Sequence, residues 1–337
     1  MSRAQHAQAS PAVVTGMQTV TIAKALNTGL RAAMEADDKV IVMGEDVGRL
    51  GGVFRITDGL QKDFGEQRVL DTPLAESGII GTAVGLALRG FRPVCEIQFD
   101  GFVFPGFDQI VSQLAKLHFR SQGKLPMRVV VRIPHGGGIG AVEHHSESPE
   151  SLFAHVAGLK VVACSNPADA YWMIQQSIAS DDPVIFFEAK RRYWEKGPLD
   201  TAAQPQPLFT SRVLRPGSAA TMVTYGSMVR TTLDAAKAAD ADLEVIDLRT
   251  LSPLDLDSVF DSVRRTGRLV CVSEAPGECS VTAEVAARVQ QECFYSLEAP
   301  VLRVTGFDTP YPPSKCEEAY LPDLDRVLDA VDRVLAH

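Results

Sequence analysis

Short, almost wholly apolar runs alternate with helix-patterned segments along this chain, and that alternation limits its fold more than any other feature. Val40-Ile41-Val42-Met43, the 127–133 stretch with Val129-Val130-Val131, and Val184-Ile185-Phe186-Phe187 are too short for helices and too continuous for strands with one wet face. They read as parallel strands covered on both sides. Between them, residues 17–36 place Val20, Ala23, Leu26, Leu30, Ala33 and Met34 on one helical stripe. A further helix is expected over 108–118, and another opens at Asn166-Pro167. The pattern implies an α/β architecture, a parallel sheet with helices on both faces. A polar, proline-rich break over 196–210 precedes a second alternation. Its strands fall near 220–225, 243–248, 268–273 and 301–305, and its helices near 229–239, 257–265 and 279–292. It closes on an amphipathic helix carrying Leu324, Val327, Leu328, Val331, Val334 and Leu335. The expected organisation is a flexible tail (1–16), an α/β domain (17–195), a linker (196–210) and a second α/β domain (211–337).

Composition excludes several functional classes. A net charge of −9 without clustered Lys and Arg argues against a nucleic-acid surface. No apolar run approaches the length of a membrane span. The six cysteines show no C-x-x-C pair and no metal-ligand spacing, so they read as buried, reduced thiols. The first sixteen residues lack the apolar core of a signal peptide, and a cytoplasmic setting is expected.

Chemistry concentrates in three places. A short strand (68–71) runs into Thr72-Pro73, a helix-start signal, and Glu76 then falls in the first turn of a helix rich in Gly and Ala. An acid there is commonly an electrostatic cap. The sharper reading is a carboxylate aimed into a cleft at the strand ends, among small residues that admit a close neighbour. The second place is Phe99 to Phe107, with four phenylalanines; Phe102, just past a strand end, is best placed to stack on a planar ring. The third is Pro134-His135-Gly136-Gly137-Gly138-Ile139-Gly140, followed by His144 and His145. His-Gly-Gly-Gly resembles an esterase oxyanion loop, but no G-x-S-x-G supplies a nucleophile, and G-x-G-x-x-G is absent too. A loop whose backbone lets a ligand come close remains. His145 reads either as a proton-transfer group or as an ordinary loop histidine ahead of a helix capped by Ser148-Pro149. After the first strand, Glu45-Asp46 either binds a cation or caps a loop.

From residue 17 onward the chain resembles the β subunit of the E1 component of 2-oxoacid dehydrogenase complexes. The resemblance is carried by Gly44-Glu45-Asp46-Val47, Gly51-Gly52-Val53-Phe54-Arg55, Thr72-Pro73-Leu74-Ala75-Glu76-Ser77-Gly78, Glu96-Ile97-Gln98-Phe99, His145-Ser146-Glu147-Ser148-Pro149-Glu150, Val245-Ile246-Asp247-Leu248-Arg249-Thr250 and Gly306-Phe307-Asp308-Thr309-Pro310. Gly-Gly-Val-Phe-Arg and Phe107-Asp108-Gln109-Ile110 are more similar to the branched-chain form than to the pyruvate form.

The resemblance implies a pyrimidine-binding domain followed by a transketolase C-terminal-like domain, and thiamine diphosphate as cofactor. Glu76 matches the family glutamate that hydrogen-bonds the aminopyrimidine; Leu74 would be an apolar contact beside it. Phe102 stands where branched-chain relatives usually carry Tyr, keeping an aromatic wall without its hydroxyl. His145 matches the histidine proposed to serve acyl transfer to the lipoyl group. No metal ligand is assigned in this chain: Gly-Asp-Gly is missing, so Mg²⁺ and the diphosphate would be held mainly by an E1 α subunit in an α2β2 tetramer. A structural K⁺ is implied near 127–130 and 177–182, although Val130 replaces a Thr common there. The expected partners are that α subunit, the E2 lipoyl acyltransferase and a small 2-oxoacid. The expected activity is that of a branched-chain 2-oxoacid dehydrogenase. The alternatives are pyruvate or acetoin as substrate, or a non-catalytic assembly subunit in which Glu76 merely caps a helix.

Overall fold

A computed structural model describes residues 16–337 of the chain, so nearly all of the expected tail lies outside the described residues. The first half contains β1 (Met17–Thr21), α1 (Ile22–Ala36), β2 (Val40–Gly44), α2 (Leu60–Phe64), β3 (Val69–Asp71), α3 (Glu76–Leu88), β4 (Arg92–Glu96), α4 (Ala115–Arg120), β5 (Val130–His135), α5 (Glu150–Ala154), β6 (Lys160–Cys164), α6 (Pro167–Ala179), β7 (Val184–Ala189) and β8 (Lys196–Asp200). The second contains β9 (Arg212–Arg215), β10 (Ala220–Thr224), α7 (Met228–Ala238), β11 (Leu243–Asp247), β12 (Thr250–Ser252), α8 (Asp257–Thr266), β13 (Leu269–Pro276), α9 (Val281–Cys293), β14 (Leu302–Gly306), α10 (Glu317–Tyr320) and α11 (Leu324–Leu335).

The apolar runs are parallel strands, as expected. One sheet runs β12-β6-β7-β5-β4-β2-β3 and the other β14-β13-β10-β11-β9. Strand β12 comes from the second half yet pairs antiparallel with β6, placing Thr250 opposite Val162. One apolar core contains Ile79, Ile133 and Phe187 from the first half together with Val223, Ile246 and Val285 from the second. The two sheets therefore share buried surface, and their relative placement is part of the folded core.

Several expectations need correcting. Residues 17–21 form a strand rather than the start of a helix. The β-branched Thr19-Val20-Thr21 pairs antiparallel with β8, and Thr21 then caps α1 by accepting the Lys24 N–H at 3.1 Å. The expected linker accordingly begins with strand β8, and Pro198 is tolerated because the ribbon has only two strands. The 108–118 helix is a π-helical segment (Gln109–Leu114) followed by α4. The helix after Ser148-Pro149 begins at Glu150 without a side-chain cap. Cys95, Cys164, Cys271 and Cys293 are buried thiols, but Cys279 and Cys316 are exposed. Among the described residues, no helix is long and apolar enough to cross a membrane.

Candidate active site

Glu76 is the first residue of α3, not a residue within a helix begun at Thr72-Pro73. The delay has a local cause. Parallel pairing of β3 with β2 continues past Asp71, with the Thr72 N–H donating to the Gly44 carbonyl at 2.9 Å, so 72–75 stay outside the helix. The Glu76 side chain is thereby set at the helix N-terminus, 7% exposed. Among the described residues, no hydrogen bond engages its carboxylate. Glu45, at the end of β2, faces it. Burial pushes the Glu45 carboxyl up, and the Glu76 and Asp46 charges push it further. Asp46 has φ 59° and receives the Gln98 side-chain amide at 3.3 Å.

A 3-10 turn, Asp100–Gly106, connects the remaining site residues. A Cβ on Gly106 would lie 3.2 Å from the Glu76 carbonyl oxygen, so one end of the turn packs on the start of α3. A Cβ on Gly101 would lie 2.5 Å from the His144 carbonyl oxygen, so the other end packs on the histidine segment Glu143–His145. Phe102 sits between these contacts, its ring edge-to-face with His145 at 5.1 Å. His145 also meets Phe99 edge-to-face at 4.2 Å, whereas His144 is exposed. Burial, then His144 and Lys190, hold the His145 imidazole below its ordinary range, favouring the neutral ring. Leu74 stands apart from these contacts, 79% exposed on the approach to Glu76.

The two halves match family models, residues 18–195 that of the transketolase pyrimidine binding domain and residues 210–327 that of the transketolase C-terminal domain. The pyruvate dehydrogenase E1 component subunit beta of Leifsonia xyli subsp. xyli is 62% identical, over 95% of this chain and 96% of that one. The chain belongs to the E1 β subunits of thiamine-dependent 2-oxoacid dehydrogenases. Another E1 β relative, the 3-methyl-2-oxobutanoate dehydrogenase subunit beta of Mycobacterium tuberculosis, is 55% identical over 94% of this chain and 92% of its own. The 2-oxoisovalerate dehydrogenase subunit beta of Pseudomonas aeruginosa is 45% identical over 98% of both. A solved chain described as a split gene transketolase, inactive beta4 tetramer, shares the fold at a TM-score of 0.76 and 20% identity, covering 94% of this chain and 98% of that one.

This E1 β subunit also depends on buried charges that pattern reading missed. Asp100, fully buried at the head of the turn, pairs with Lys190 just past β7 and accepts the Glu147 N–H at 2.6 Å. One carboxylate thus fixes both the turn and the far side of the histidine segment. Below it, Arg132 on β5 holds Glu188 on β7 with two bonds (2.7 and 2.9 Å) and Glu96 on β4 at 2.6 Å, while Tyr193 donates to Glu188 at 2.6 Å. The available signal was a charge within or at the end of each of three apolar strands, and a buried charge needs a partner. The glycine loop after β5 also departs from expectation: it is approached by the chain's own second domain, since a Cβ on Gly136 would overlap the Glu274 carboxylate and one on Gly137 the Tyr311 hydroxyl.

Proposed function

We propose that this chain, with an α subunit in an α2β2 tetramer, decarboxylates branched-chain 2-oxoacids and acylates the lipoyl group of an E2 acyltransferase. The observation that carries the reading is the Glu76 carboxyl. It is buried at a helix N-terminus, free of hydrogen bonds among the described residues, and lies at the foot of a turn bearing an aromatic ring. These features suit the edge and face of an aminopyrimidine. When bound, thiamine diphosphate supplies the carbon nucleophile for the oxo group and the sink for the electron pair released with CO₂. Glu76 donates and takes back a proton at the aminopyrimidine ring nitrogen. Phe102 walls the ring, and Leu74 covers the approach. His145, neutral at rest, takes up a proton from solvent and passes it to the sulfur freed as the lipoyl S–S bond opens.

The α partner accounts for an exposed helix face and for a missing segment. Helix α3 is rich in apolar residues, yet Gly78, Gly85 and Leu88 face outward, and a Cβ on Gly85 would meet nothing within 4 Å. The Gly-Asp-Gly segment this chain lacks would come from the α subunit with Mg²⁺. A structural K⁺ between 127–130 and 177–182 belongs to the same reading. These stretches lie side by side, with the Met127 N–H donating to the Asp181 carbonyl at 2.9 Å. The relatives are bacterial, and the reading sets the enzyme in the cytoplasm.

The Leifsonia relative, named for pyruvate, favours pyruvate as a second substrate reading. The test is to purify the tetramer and assay branched-chain 2-oxoacids against pyruvate, with and without Glu76→Gln. Catalysis by Glu76 requires a loss of at least about a hundredfold in decarboxylation. Near-normal turnover in the variant would support an assembly subunit, and a preference for pyruvate would overturn the branched-chain assignment.

A further inference from the structure

The loop from Gly136 to Glu147 is held from the second domain by a carboxylate. Glu317, opening α10 and 8% exposed, accepts the Gly138 N–H at 2.7 Å on Oε1 and the Gly140 N–H at 3.0 Å on Oε2. Tyr311 donates its hydroxyl to the same Oε1 at 2.6 Å, and its oxygen shares the Gly138 N–H at 3.3 Å. Gly138 and Gly140 have φ of 84° and 73°, a backbone that presents successive N–H groups to one anion and strains any residue with a Cβ. The loop closes at its other end, where the Gly136 N–H donates to the Glu147 carbonyl at 2.8 Å and the Glu147 N–H to Asp100 at 2.6 Å. His145 lies inside this closed segment, its own N–H bonded to the Val142 carbonyl at 3.0 Å.

We propose that Glu317 and Tyr311 are positioning residues for acyl transfer: their clasp on Gly138 and Gly140 fixes the loop that carries His145. The proposal rests on the reading of His145 as the acyl-transfer group. The physical argument concerns tolerance. The imidazole is held by edge contacts with Phe99 and Phe102 and by the path of its backbone, and a shift of about 1 Å in a reacting group costs up to about a hundredfold in rate. The carboxylate is specific. Both its oxygens accept, so an amide at 317 turns an NH₂ toward one glycine N–H and loses that bond. Glu76 is set by α3 and by the far end of the turn at Gly106, whereas the clasp bears on Gly138 and Gly140, so its larger effect should fall on the second half of the reaction.

The experiment uses the α2β2 holoenzyme and compares Glu317→Gln, Glu317→Ala and Tyr311→Phe with the parent. Decarboxylation is read with an artificial electron acceptor, and acyl transfer with a lipoylated domain. Glu317→Ala should slow acyl transfer about tenfold or more and leave decarboxylation within about twofold. Glu317→Gln and Tyr311→Phe should show the same selectivity at smaller size. Adding Glu317→Ala to His145→Ala should slow acyl transfer no further than His145→Ala alone. Amide hydrogen exchange should rise over 136–147 in Glu317→Ala. Equal loss in both half-reactions, additive loss in the double variant, or unchanged exchange over 136–147 would overturn the proposal. Normal acyl transfer in His145→Ala would sink the underlying reading of that histidine and the proposal with it; the exchange result would still report whether the clasp orders the loop.

Discussion

The Asp100 carboxylate and the Lys190 ammonium form an ion pair with no solvent exposure at either side chain, joining the turn that carries Phe102 to the end of strand β7. The pair also governs the histidine segment, because Asp100 receives the Glu147 N–H. Breaking it strands a buried charge. Lys190→Met should destabilise the fold by about 3–5 kcal/mol, and adding Asp100→Asn, which keeps an acceptor for Glu147, should restore much of that. Equilibrium denaturation of the single and double variants checks this; a double variant no more stable than Lys190→Met would count against the stranded charge as the cause.

Gly101 and Gly106 bear on different neighbours, so alanine at each should affect different steps. A Cβ at 101 meets the His144 carbonyl oxygen at 2.5 Å and forces the histidine segment outward. A Cβ at 106 presses on the Glu76 carbonyl oxygen at 3.2 Å. Gly101→Ala should lower acyl transfer by about tenfold or more while sparing decarboxylation, and Gly106→Ala should lower decarboxylation. Separate assays of the two half-reactions settle the point.

Arg249 connects the two halves of the chain. Its Nε donates to Asp169 at the start of α6 at 3.1 Å, and one terminal nitrogen reaches the Thr210 carbonyl at 2.6 Å and the Pro207 carbonyl at 3.2 Å. Arg249→Ala should cost about 3 kcal/mol and loosen the 201–210 connection, since Asp169 then keeps only the part-exposed Arg212 as a cationic partner, beside the Asn166 amide. Faster proteolytic cleavage within 201–210, with a lowered melting temperature, is the expected result.

Glu150 predicts a pH dependence of known sign. Burial raises its carboxyl from 4.5 to about 7, while Tyr225 donates to Oε1 at 2.7 Å. Between those values the folded state holds a proton that the unfolded state has released, so this group's contribution falls as pH rises from 4.5 through 7. Relative to Glu150→Gln, the parent should lose up to about 1.4 kcal/mol per pH unit across that window. His135, 3.8 Å away and pushed down to about 3 by burial, has the opposite slope between 3 and 6.5, so the comparison requires the variant rather than the parent alone. Denaturation at pH 5 and pH 7 provides the measurement; a parent-to-variant difference that does not change with pH would refute it.

The sequence by itself determined the family and most of the buried strands. Runs such as Val40-Ile41-Val42-Met43 are apolar enough to dictate buried parallel strands, and the block around Glu76 carries part of the family resemblance, because both signals are local in the chain. Tertiary structure alone decided what supports the site. Nothing in the spacing of Asp100 and Lys190, Arg132 and Glu188, or Gly138 and Glu317 brings them together; the sheet order and the shared core between the two halves do. Helix α3 begins at Glu76 because strand pairing to Gly44 outlasts the local start signal at Thr72-Pro73, and residues 17–21 leave the helical stripe because β8 offers them a strand partner. Local propensity differences amount to a few tenths of a kcal/mol to about 1 kcal/mol per residue, so a paired strand or a buried charge cluster overrides them.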